Sequence, residues 1–121
     1  MYPPIFAICS VDAGVQAQLG SDQCRLYPFG LAPQGVTKPY AVWQQVSGGP
    51  ENYINQRPDM DLFSIQVDCW ATSADEARAV AQALRDAIEP HAHITAWYGD
   101  RRDPETKNYS YAFAVDWFTP R

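Results

Sequence analysis

Alternation of apolar and polar side chains with period two is clearest between residues 61 and 71. Phe63, Ile65, Val67 and Cys69 fall on one side of an extended chain, and Ser64, Gln66 and Asp68 on the other. That is the signature of a half-buried strand whose second face is wet or meets a partner. The closing segment repeats it. Tyr109, Tyr111, Phe113, Val115 and Trp117 share one side, and Ser110, Ala112, Ala114 and Asp116 the other. Residues 40–46 predict a further strand, with Tyr40, Val42 and Val46 on one face and Ala41 and Trp43 on the opposite one. Residues 91–98 predict a fourth, joined to the last by the polar stretch GDRRDPETKN as an antiparallel hairpin.

Between the strands the period changes. In ATSADEARAVAQALRDAIEP, Ala77, Val80, Ala81, Leu84 and Ile88 recur at helical spacing. Ser73 followed by Glu76 predicts a capping box at the helix start, and Pro90 its end. Asp75 and Glu76 sit near the positive end of the helix dipole and Arg85 near the negative one. Two shorter helices are predicted at the amino-terminal end. Pro3 and Pro4 open the first, with Ile5, Phe6, Ile8 and Cys9 as its apolar side. Ser10 or Asp12 caps the second, which carries Val15 and Leu19 and stops at Gly20. Residues 21–39, punctuated by Pro28, Gly30, Pro33 and Gly35, read as an irregular segment wrapping over a sheet.

The order is thus α-α-β-β-α-β-β. The economical packing is a four-stranded, largely antiparallel α+β sheet with helices on one face, as a single domain over residues 1–121. One insertion stands out. Residues 47–59, SGGPENYINQRPD, form a polar stretch far longer than a hairpin needs, and read as an arm.

Composition sharpens the picture in two ways. Aromatic residues make up 13% of the chain, with four Trp and seven Tyr, so it has the material for a packed core. Helices on one face cannot cover both sides of the sheet, so part of the aromatic surface is expected to be exposed or to meet a neighbour. Fourteen acidic residues against nine basic give a formal net charge of −5. That balance disfavours nonspecific binding of a phosphate backbone, which rewards clustered Lys and Arg. No basic leader, signal-peptide core or apolar membrane span is legible, so synthesis in the cytoplasm is expected.

Searching for chemistry returns little. Cys9, Cys24 and Cys69 are odd in number and widely spaced, which suits reduced structural thiols and neither a disulfide framework nor a zinc site. His91 and His93 would point to the same face of a strand, but no third ligand lies at useful spacing. Asp59, Asp61 and Asp68 are the nearest thing to paired carboxylates, and they read as solvated acids at a strand and its junction. No nucleophile elbow, zinc-protease or P-loop motif occurs. The expectation is a protein without catalytic residues, metal or cofactor. Candidate contact residues are Tyr53, Ile54, Asn55 and Arg57 of the arm, whose composition suits ordering on a partner, and Arg101 and Arg102, expected at the tip of the last hairpin.

Four stretches in order also carry a resemblance: PIFAICSVDAGVQAQLG, RLYPFGLAPQGVTKPYAVWQQVSG, LFSIQVDCWATSADEARAVAQALRDAI and YSYAFAVDWF. Spanning nearly all of the chain, they resemble the tail-completion, or tail-terminator, proteins of long-tailed bacteriophages and related prophage or gene-transfer particles. PYAVWQQVSG, followed by QVDCWA and a helix beginning ADEA, is the most specific part. The resemblance implies a structural virion protein at the tail–neck junction. It would form a closed, hexameric ring on the head-proximal end of the tail tube, stop tube polymerisation and join a head-completion or connector protein. DNA would pass through its lumen without sequence-specific binding. The arm is then expected to reach a neighbouring subunit or the tube. The alternatives are a head–tail joining protein on the portal side and, from another class, a small ligand-binding or enzymatic α+β domain with an apolar pocket.

Overall fold

The structure, a computed structural model, describes residues 2–52, 54 and 56–121. Two short helices, α1 (Ile5–Cys9) and α2 (Ala13–Leu19), precede a three-residue strand, β1 (Leu26–Pro28). The long strands β2 (Tyr40–Pro50) and β3 (Met60–Ala71) follow. Helix α3 (Ala74–Ile88) leads into β4 (His93–Arg102) and β5 (Tyr109–Pro120). The strands form one five-stranded sheet in the order β1-β2-β3-β5-β4. All pairings are antiparallel except β1 with β2, which is parallel.

The core is built as the alternation predicts. Phe63, Ile65, Val67 and Cys69 of β3 and Phe113, Val115 and Trp117 of β5 are buried against α3, which contributes Val80, Ala81, Leu84 and Ile88. Ile5 and Cys9 of α1 and Val15 and Leu19 of α2 seal the same side. Asp12 caps α2, its carboxylate accepting from Val15 N at 3.1 Å. Ser73 caps α3 by accepting from Glu76 N at 3.2 Å. Glu76 closes its half of the box one residue further out, accepting from Thr72 N at 3.5 Å rather than from the amide of Ser73.

Three expectations need correction. The sheet has five strands rather than four, because part of the segment read as irregular pairs with β2. Leu26, Tyr27 and Pro28 lie beside Ala41, Val42 and Trp43. Arg25 pins this detour, its guanidinium donating to Pro39 O at 2.8 Å and Gln18 O at 3.2 Å. Three residues ending in proline carry no readable period, and a proline is tolerated there because the strand is at an edge.

Second, β2 runs on through Ser47–Gly48–Gly49–Pro50, so the irregular stretch is 51–59 rather than 47–59. Both glycines are strand residues, and Gly48 lies at a close backbone approach: a Cβ there would sit 2.6 Å from Leu62 O. Third, β4 begins at His93 and extends through Arg102, taking up residues 99–102 of the expected loop. His91 therefore lies in the turn after α3, not on a strand with His93.

Candidate functional site

Every helix packs on one side of the sheet, so the other side is left open. Alternation places Leu62, Ser64, Gln66, Asp68 and Trp70 of β3 on that open face, none of them fully buried. Beside them in register stand Phe118, Asp116, Ala114, Ala112 and Ser110 of β5. The centre is polar. Ser64 Oγ donates to Asp116 at 2.9 Å and Gln66 Nε2 to Asp68 at 3.2 Å. The small side chains of Ser110 and Ala112 keep β5 low between Trp70 and its neighbours, and both are buried.

The predicted contact residues do not form one patch. The arm leaves β2 where Pro50 pairs with Asp61, at one end of β3. Glu51 N donates to Met60 O at 2.9 Å, and Arg121 ties its base by donating to Asp59 O at 2.8 Å and Asp61 Oδ1 at 3.0 Å. Ile54 is 91% exposed and Arg57 is exposed. Tyr53 and Asn55 lie outside the described residues. Arg101 and Arg102 stand at the far end of the sheet, where β5 residues Ser110 and Tyr109 pair with Trp70 and Ala71 of β3. They are strand residues rather than a hairpin tip. Arg102 lies over the Tyr109 ring at 5.3 Å, and Arg101 lines a recess on the open face with Asp68, Trp70 and Ser110.

The remaining groups are spoken for. Asp61 is held by Arg121, while Asp68 lies seven residues along the same strand, about 23 Å away at strand rise, too far for shared acid–base work. His93 packs edge-on against Phe118 at 6.3 Å. Among the described residues, no group of three or more His, Cys, Asp or Glu is placed to hold a metal. A groove of 490 Å³ runs between α3 and β4, with Trp97 and Tyr111 in its lining. Its cations face their own partners rather than a ligand: Arg78 pairs with Asp100, and Arg85 with Asp86 at 2.9 Å. The Arg78 hydrogen bond holds the Asp100 carboxyl below its ordinary value. Burial pushes the Cys9 thiol up to about 12 and raises Cys69 further, so neither is a thiolate nucleophile near neutrality.

Part of the aromatic surface is exposed, as expected, although the sequence does not mark which residues. Trp43 and Trp117 are buried, but Trp97, Tyr98, Phe118, Phe29, Leu31 and Val46 are exposed. Tyr98 and Val46 share a signal: each is the residue skipped where a strand register shifts.

A helix-backed sheet whose other face is open and polar at its centre suits a building block. The family model for tail completion protein gp17 matches residues 3–119. The chain belongs to that family. It is a structural tail protein of a phage-like virion, and not an enzyme. Comparison with curated proteins gives no match. Among 20 matching chains of solved structures is one from the virion of a native gene transfer agent particle. It is 12% identical, with a TM-score of 0.65, over 97% of this chain and 92% of that one. That likeness is one of fold. Among the described residues, no helix is long and apolar enough to cross a membrane.

Proposed function

We propose that this tail-completion protein assembles as a hexameric ring on the head-proximal end of the tail tube, ends tube polymerisation there, and joins the tail to the head-completion or connector protein. The observation that carries this is the one-sided sheet: helices on one face, an open polar face on the other, and an unlike feature at each end. An arm marks one end and a pair of arginines the other. A cyclic ring needs two different complementary patches on each subunit, and a subunit with distinct ends and edges supplies them. Tyr53, Ile54, Asn55 and Arg57 are the arm residues assigned to a neighbouring subunit or the tube, and Arg101 and Arg102 to the opposite contact. In this reading the open face, with Asp68 and Asp116 at its centre, lets DNA travel past without adhering.

The test is tube capping. Purified tube protein is polymerised with and without this chain, and tube lengths are read by electron microscopy. Shorter tubes with density at one end support the reading. Tubes of unchanged length, with the chain bound instead to the connector, would replace it by a head–tail joining role on the portal side.

A further inference from the structure

Two edges of the sheet are open, and they match. On one side β1 covers β2 only at Ala41, Val42 and Trp43, and no strand among the described residues lies beside Gln44–Pro50 on that side. On the other, β4 has no strand beyond it among the described residues, along all ten of its positions. Unpaired backbone N–H and C=O groups on such edges are templates for another strand. β4 carries charge only at its end, in Asp100, Arg101 and Arg102, and both edges expose apolar side chains elsewhere. Val46 is 56% exposed on β2, and Phe29 and Leu31, just after β1, are 72% and 67% exposed. On β4, Trp97 is 45% and Tyr98 54% exposed.

The strand directions decide how the edges can meet. β2 is antiparallel to β3, β3 to β5, and β5 to β4, so β4 runs opposite to both β1 and β2. A second copy in the same orientation therefore presents its β4 antiparallel to the β1–β2 edge of the first. We infer that the partner of each edge is the other edge of a second copy of this chain, so that copies add head to tail by continuing the sheet from subunit to subunit. The contact is heterologous, as a closed ring requires, and an isologous dimer through two β4 strands is not formed. The inference deepens the ring reading and rests on it.

Register shifts supply the variants. Tyr98 is skipped between Trp97 and Gly99 in the β4–β5 pairing, and Val46 between Gln45 and Ser47 in the β2–β3 pairing. Proline at either position blocks strand addition while sparing most of the internal ladder. Absolute mass is measured by light scattering for the full-length wild type, Tyr98→Pro, Val46→Pro and their equimolar mixture, with circular dichroism to confirm folding. The expected result is a wild-type ring, a monomer for each variant alone, and a one-to-one dimer for the mixture, because each partner keeps one usable edge. A ring retained by either variant overturns the inference, as does self-dimerisation of Val46→Pro. If a variant does not fold, amide hydrogen exchange on the wild type decides instead. Slowed exchange in β4 and in residues 44–50 on assembly supports edge pairing, and a ring whose β4 amides exchange as in the diluted monomer overturns it alone. A wild type that stays monomeric even with tube present overturns the ring reading and this inference together.

Discussion

On β3 two surfaces share one backbone. Phe63, Ile65, Val67 and Cys69 point into the helix layer and are buried, while Ser64, Gln66, Asp68 and Trp70, one residue out of phase, look away from it. The first set touches side chains from α1, α2, α3 and β5, so its volume is fixed by neighbours on every side. The second is bounded only laterally, by side chains in adjacent strands. Substitutions on the covered face must therefore act on folding, and those on the open face are free to act on assembly. Stability and function are separated by a single step along the chain.

The sharpest way to break this contrast is Phe113→Ala. Phe113 is fully buried at the centre of the covered face, and its truncation should cost about 3–5 kcal/mol, read as a lowered chemical-denaturation midpoint, with assembly lost through unfolding. Next is Gly48→Ala. A Cβ would meet Leu62 O at 2.6 Å, backbone that can yield only by separating β2 from β3, so a loss of about 1–3 kcal/mol is expected in the same assay. Ser73→Ala removes the cap from Glu76 N and should lower stability by about 1 kcal/mol without altering assembly.

Asp68→Asn tests the other side of the contrast. Stability should move by about 0.5 kcal/mol or less, because the change keeps the side chain's shape and Asp68 lies in a recess open to solvent, while adhesion of DNA, measured by filter retention at low salt, should rise. A large stability loss there would show that the open face is structural. The smallest effect belongs to Arg78→Ala. The Arg78 hydrogen bond depresses the folded-state value of Asp100, so the pair's contribution is full above the ordinary carboxylate value of about 4. It is lost as pH falls through the depressed value. Both side chains are largely in solvent, so the variant should differ only slightly in melting temperature near neutral pH and converge with wild type in acid.

The covered face was legible because burial imposes a period. The alternation of Phe63 to Cys69 and of Tyr109 to Trp117, and the helical repeat from Ala77 to Ile88, gave the core and the helix that covers it. What burial does not dictate was misread. Gly48, Gly49 and Pro50 carry turn-forming identities, yet they continue a strand in register with Phe63, Leu62 and Asp61, and at Gly48 the backbone of Leu62 leaves no room for a side chain. Asp100, Arg101 and Arg102 carry the charge of a loop, although an exposed edge strand accepts charges freely. Leu26–Pro28 is held by Arg25 and by pairing fourteen or more residues away, which no local window contains. Composition marks the two groups of candidate contact residues but says nothing of the distance between them. They stand at opposite ends of the sheet.

The cysteines give the molecule an internal clock. Cys9 and Cys69 are sealed in the core as protonated thiols, and Cys24 is half covered with its thiol also raised by burial. Alkylating reagents, which consume thiolates, should reach Cys9 and Cys69 only when the helix layer lifts from the sheet. Their labelling rate then reports opening of the native fold with no dye or mutation, and a cysteine placed on the open face would be modified long before them.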